Sequence, residues 1–314
     1  MSRNTAFLFP GQGSQAVGMG RELVEQFPVA VSTFAEADEA LGFSISKLCF
    51  EGPEADLRLT ENTQPAILTV SVAVCRVLAS EGVTPAFAAG HSLGEWSAHV
   101  GVGTLSLADA VRAVKARGRA MQQAVPPGQG AMAAVLMLDA AQVVEACAEA
   151  AAETGQVVAA ANINSPGQTV ISGTLTAVEK AIDICKAKGA RRAIMLPVSA
   201  PFHCVLMQPA QEEVARVLAG LPLAAPRLPV AANVTGKLVT TAAEAKDALI
   251  RQVTGAVRWV DCVQSLVAAG ANVFIEAGPG KVLTGLMKQI NAAQKALNVE
   301  DAASLEKTKA EWAA

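Results

Sequence analysis

Short apolar runs alternate with alanine-rich stretches of helical period along most of the chain, the pattern of strands covered by helices on both faces. Residues 5–9, cut by Pro10, read as a buried strand, and QPAILTVSVAVCRVLAS (64–80) carries apolar residues at helical spacing until Gly82 stops it. After Pro126-Pro127-Gly128, which no helix continues through, the period changes. GAMAAVLML reads as a strand, DAAQVVEACAEAAAET as a helix opened by Asp139, GQVVAAANI as a strand and NSPG as a turn. QTVISG is then a strand, TLTAVEKAIDICKAKG a helix stopped by Gly189, and RRAIMLPV a strand. That β-α-β-β-α-β order is the ferredoxin-like unit, placed at residues 129–198. VFIEAGPGKVLTGLMKQI (273–290) returns to the strand-turn-helix style of the first part, so the unit reads as an insertion. The expected fold is therefore α/β: a parallel-sheet core of residues 1–128 and 199–314 interrupted by the smaller unit. The tail from Asn291, rich in Ala, Lys and Glu, reads as a solvent-facing helix or a loose end.

With 314 residues, 52% of them hydrophobic, the chain can bury a large core. Its 25 Lys and Arg against 28 Asp and Glu leave no overall field to attract nucleic acid or an anionic membrane. The start, MSRNTAFLFPGQGSQ, is too short in apolar residues for a signal-peptide core, and no later apolar run reaches the roughly 18 that span a bilayer, so the expected location is cytoplasmic. The six cysteines are scattered without a Cys-x-x-Cys pair, which argues for buried reduced thiols over a disulfide framework or a zinc site.

Against that background, AAGHSLGEWSA (88–98) stands out, because Gly90-x-Ser92-x-Gly94 is the spacing of a sharp strand-to-helix turn that exposes a serine oxygen. A serine becomes a nucleophile only when a base takes its proton. Three histidines are available: His91, adjacent on the turn and expected to point elsewhere; His99, two helical turns on and expected to be packed or solvated; and His203, on the proline-held loop of LPVSAPFHCVLMQP. Serine before histidine on an α/β core is a hydrolase-like order, and a structural role for a lone loop histidine stays open. Cys204 has no evident activating base. No Asp or Glu between 92 and 203 stands out as a third partner, which leaves a backbone carbonyl to orient the base. Glu95 reads as a first-turn acid that suits the helix dipole.

FPGQGSQ places Gly11-Gln12-Gly13 after a strand, where backbone N–H groups can be aimed at an oxyanion or where the chain merely turns. A dinucleotide motif would need glycine at Ala16, and EAGPGKV lacks a Walker spacing because Ile275 stands where its first glycine would be. There is no Cys/His cluster to support a metal site, and no cofactor is expected. In VRAVKARGRAMQQAV, Val111, Val114, Gly118 and Met121 fall on the buried side of a helix and Arg117 neighbours them. An inward-facing arginine calls for an anion, from the protein or from a substrate.

Taken in order, FPGQGSQ, GHSLGEWSA, ARGRAMQ, GAMAAV, NINSPGQ, PVSAPFH and EAGPGKVLTGL resemble the malonyl-CoA:acyl carrier protein transacylase family over residues 5–290. The resemblance implies a hydrolase-like α/β core carrying a ferredoxin-like subdomain, and transfer of malonyl from malonyl-CoA to acyl carrier protein, with fatty-acid synthesis as the expected setting. It also implies a malonyl ester on Ser92, His203 as base and acid, and an oxyanion held by the N–H groups of Gln12 and Leu93. Arg117 would pair with the malonyl carboxylate, and the backbone carbonyl of Gln252 would orient His203. Phe202 resembles the bulky residue that crowds an α-methyl group, and Trp96, where many relatives have tyrosine, is expected to reshape the pocket wall. Lys186, Lys188, Arg191 and Arg192 form the densest basic cluster and are a candidate contact for acidic carrier protein or CoA phosphates, or simply a solvated helix end. A serine esterase or thioesterase, and a non-catalytic carrier-protein binding module, are the competing functions.

Overall fold

The computed structural model describes residues 4–198 and 200–313, so the boundary expected at residue 199 lies outside the described residues. The described residues form strands β1 Thr5–Phe9, β2 Phe87–Gly90, β3 Gly130–Leu136, β4 Val158–Ser165, β5 Gln168–Thr174, β6 Arg192–Met195, β7 Val230–Ala231, β8 Leu238–Val239, β9 Val273–Ala277 and β10 Lys295–Val299. They build two sheets. One has six strands in the order β10-β9-β1-β2-β7-β8, all parallel except the final β7/β8 pair. β1 and β9 are buried at every position, as expected of central strands covered on both faces.

The second sheet is antiparallel, β4-β5-β3-β6, which is the strand order of a ferredoxin-like unit. Helices Ala140–Thr154 and Leu175–Ala187 cover one face. Alternation along β3 sends Ala131, Ala133 and Val135 into the core beneath those helices, with Val143, Ala146 and Ala181, while Met132 joins the main core on the other side. β4 runs to Ser165, so only Pro166 and Gly167 make the turn expected over NSPG. The antiparallel sheet is tied to the segment before helix Trp259–Ala268 where Ile163 N–H donates to Val257 O and Val257 N–H to Ala161 O.

One expectation is corrected. The tail from Asn291 is neither loose nor merely solvated: β10 extends the parallel sheet, and helix Ala302–Ala313 follows with Leu305 fully buried. Its lysine- and alanine-rich sequence hides a strand that pairs on one side only. Helix Thr60–Ser80 is long and apolar enough to cross a membrane by length and composition, although no unbroken apolar run predicted this. Most of it is buried against helices Pro28–Leu41 and Leu107–Gln123.

Candidate active site

The carboxyl ends of β1 and β2 open on one cavity, the usual place for a ligand on an open parallel sheet. β2 ends at Gly90, and helix Leu93–Gly101 begins three residues later. Ser92 makes the turn between them at φ 51° and ψ −108°, a sparsely populated conformation for a side-chain-bearing residue. The flanking glycines have a steric reason. A Cβ on Gly90 would overlap the backbone of Gly94, and one on Gly94 would overlap the carbonyl of Phe9.

Asn233, just past β7, holds the turn from behind: its Oδ1 accepts from Ser92 N–H at 2.7 Å and its Nδ2 donates to Gly90 O at 2.7 Å. The Ser92 side chain faces the other way. Its Oγ lies 2.7 Å from His203 Nε2 and 3.3 Å from Arg117 Nη2. The opposite histidine nitrogen, Nδ1, is 2.9 Å from the backbone carbonyl of Gln252. A carbonyl only accepts, so Nδ1 carries the proton and Nε2 offers its lone pair to the serine hydroxyl. Burial, reinforced by the Arg117 charge, lowers the His203 imidazole to about 3. It is therefore a neutral base at pH 7.

Arg117 is 1% exposed. Its Nη1 donates to Gln64 Oε1 at 2.8 Å and its Nη2 to Gln252 Oε1 at 2.9 Å, while Nε has no partner among the described residues. Burial lowers the guanidinium to about 10, with nearby Glu95 opposing, so it remains a cation. Helix Leu107–Gln123 comes this close to helix Thr60–Ser80 because residue 118 is glycine, where a Cβ would stand 2.6 Å from Thr60 O.

Gln12 and Leu93 both line the cavity with Ser92, and Gly11 packs against the His91 carbonyl. Leu93 is the first residue of its helix, so its N–H has no intrahelical acceptor and is free to face a ligand. Phe202, Met132 and Val170 supply apolar wall, the last two from the outward face of the antiparallel sheet.

The remaining candidates fall elsewhere. His91 Nε2–H donates to Asn164 Oδ1 at 2.8 Å, and His99 is fully buried beside Thr104, so neither reaches Ser92 Oγ in a hydrogen bond. The Cys204 thiol is buried with its pKa raised by desolvation, the reverse of an activated nucleophile. Trp96 packs into the core and does not line the cavity, contrary to expectation. Glu95 lies in the first turn of its helix as expected, but it is 0% exposed, and burial pushes its carboxyl up to about 7. Lys186 and Lys188 are exposed but already near Asp183 (4.0 Å) and Glu149 (3.4 Å), whereas Arg191 and Arg192 are exposed at the start of β6. No group of three His, Cys, Asp or Glu among the described residues is arranged to hold a metal ion.

This arrangement can activate a serine, stabilise an oxyanion and hold an anion beside the reacting atom. Residues 6–313 match the acyl transferase domain family. The malonyl CoA-acyl carrier protein transacylase of Bacillus subtilis (strain 168) is 48% identical over 301 residues, covering 96% of this chain and 95% of that protein. The chain belongs to the malonyl CoA-acyl carrier protein transacylase family. Among solved structures, the acyl carrier protein S-malonyltransferase of Vibrio cholerae superimposes with a TM-score of 0.94 at 50% identity, over 97% of this chain and 99% of that one. A malonyl-transacylase solved in complex with its holo type II polyketide synthase acyl carrier protein does so at 0.94 and 46%, over 98% and 99%.

Within this transacylase fold, sequence reasoning missed Asn233, Gln64 and the side chain of Gln252, each of which hydrogen-bonds to Ser92 or Arg117. The one available signal was at Glu95, a lone acid in the apolar stretch SLGEWSAHV. Asn233 and Gln64 carry none, since nothing local distinguishes an asparagine or glutamine that packs under a distant turn.

Proposed function

We propose that the chain transfers a malonyl group from malonyl-CoA to the phosphopantetheine thiol of acyl carrier protein through a malonyl ester on Ser92. The observation that carries this reading is the meeting of His203 Nε2 and Arg117 Nη2 on one serine oxygen, at 2.7 and 3.3 Å. His203 takes the Ser92 proton as Oγ attacks the thioester carbonyl. The tetrahedral oxyanion faces the N–H groups of Gln12 and Leu93, each worth on the order of 3 kcal/mol of barrier. Collapse expels CoA, which leaves as the thiol with the proton from His203. The carrier thiol then gives its proton to His203 and attacks the ester, and Ser92 recovers its proton as it leaves, completing a ping-pong cycle.

Arg117 pairs with the malonyl carboxylate, and Phe202 disfavours an α-methyl branch by about 1 to 3 kcal/mol. Gln252 holds His203 through its backbone oxygen in place of an acid. Residues 129–198 act as a subdomain that walls the cleft, against a core of residues 1–128 and 199–314. For the carrier we propose Arg191 and Arg192 as contacts, with Lys186 and Lys188 held partly by their own acids. About 20 Å of extended chain at most separates Arg192 from Val198 at the cavity. A cytoplasmic location suits a reaction between two thiols.

A transfer assay to purified holo-carriers of the fatty-acid and polyketide kinds, with malonyl-, methylmalonyl- and acetyl-CoA, tests the proposal. Malonyl-carrier is the expected product. Hydrolysis without transfer would instead mark an esterase, and binding without either a non-catalytic module.

A further inference from the structure

Two carboxylates are fully buried among the described residues, Glu276 and Glu95. Glu276 is consumed by the N-terminus of helix Val282–Ile290, where it accepts from Leu283 N–H, Thr284 N–H and Thr284 Oγ–H. Glu95 instead faces the site. Its Oε2 accepts from Asn233 N–H at 3.0 Å and from Gln252 Nε2 at 2.7 Å.

Glu95 Oε2 accepts from the Asn233 N–H, which can only donate, so this oxygen is an acceptor and settles which way the carboxamide beside it points. Gln252 Nε2 must face Glu95, where it also donates to Ser92 O at 2.9 Å. Gln252 Oε1 is thereby turned toward Arg117 Nη2 at 2.9 Å. The flipped amide would set its NH2 against the guanidinium and its oxygen against Glu95 and Ser92 O. One of the two carbonyls that aim Arg117 would be lost.

We infer that Glu95 is a positioning residue for acyl selectivity: by fixing the Gln252 carboxamide it holds the Arg117 guanidinium beside Ser92, where a carboxylated acyl group must present its anion. The inference rests on the reading of Arg117 given above. It is carried by reach, which separates it from a simple charge effect. Glu95→Gln loses the charge but keeps an oxygen at the distance of Oε2. Glu95→Asp keeps the charge but withdraws it by one carbon–carbon bond, beyond the 2.7 Å contact.

The experiment measures kcat/KM for malonyl-CoA and acetyl-CoA, with a thermal transition to establish folding, in the wild type and in Glu95→Asp, Glu95→Gln and Gln252→Ala. Glu95→Asp is expected to lower the malonyl-to-acetyl ratio by about tenfold or more, Gln252→Ala to lower it alike, and Glu95→Gln to hold it within about threefold. Any of three results overturns the inference: Glu95→Gln losing the ratio while Glu95→Asp keeps it, malonyl and acetyl rates falling together, or the ratio unmoved. If one Glu95 variant fails to fold, the other, set against Gln252→Ala, decides. A wild type with no malonyl preference would sink the reading of Arg117 instead, and is seen in the same data.

Discussion

His203 Nδ1 lies 2.9 Å from the backbone oxygen of Gln252, so the base beside Ser92 is oriented by a peptide carbonyl and not by an acid. A carbonyl fixes the tautomer without adding negative charge, and the lift it gives the imidazole is outweighed by burial and by Arg117. All three histidines of the chain have pKa values lowered by desolvation, His203 to about 3 and His99 to about 4. NMR of the native protein with labelled imidazoles should therefore show no titration at the ordinary value near 6.5 between pH 8 and 5. A His203 midpoint near 6.5 would contradict the enclosed site.

Among the described residues Arg117 has carbonyl partners in Gln64 and Gln252 but no carboxylate in ion-pair contact, which leaves its charge available to an anion. Arg117→Ala is expected to cut kcat/KM for malonyl-CoA about a hundredfold or more, the cost of leaving a carboxylate unpaired in a buried site. Acetyl transfer should hold or rise, since an acetyl group never used the guanidinium. Steady-state kinetics with both donors checks this; equal losses would remove Arg117 from the selectivity argument.

The turn at Ser92 depends on the space made by its glycines. Gly94→Ala would drive a methyl into the Phe9 carbonyl at the end of β1, backbone against backbone, with no side chain able to move aside. A loss of at least about 3 kcal/mol, or failure to fold, is expected in urea titration. A variant of wild-type stability would mean that β1 and the turn are less tightly apposed.

Much of this fold was legible because its signals are periodic and local. The inserted β-α-β-β-α-β order followed from the change of period after Pro126-Pro127-Gly128, and Gly90-x-Ser92-x-Gly94 announced the turn. What escaped was non-periodic or long-range. β7 and β8 are two residues each, too short to show a period, yet β7 places Asn233 under Ser92. β10 is disguised by Lys295, Asn298 and alanine. Glu95 looked like an ordinary dipole-matched first-turn acid because helix position alone does not reveal what Asn233 and Gln252, well over a hundred residues away, bring to it.

His99 offers a stability test apart from catalysis. Fully buried, its pKa falls from about 6.5 to about 4, so below pH 6.5 the unfolded chain binds the extra proton and acid destabilises the fold. Relative to His99→Gln, which does not titrate there, the wild type should lose on the order of 2 kcal/mol between pH 7 and 4.5. Urea denaturation at the two pH values measures the difference, and a pH-independent gap would contradict a neutral buried His99.

The central claim is that Ser92, with His203 at 2.7 Å, carries the acyl group between two thiols. Its most direct measurement is intact-protein and peptide mass spectrometry after brief mixing with malonyl-CoA in the absence of carrier. The account predicts one malonyl group, located on Ser92, absent in Ser92→Ala and discharged on adding holo-acyl carrier protein. An unmodified Ser92, or an adduct that the carrier thiol cannot discharge, would contradict it.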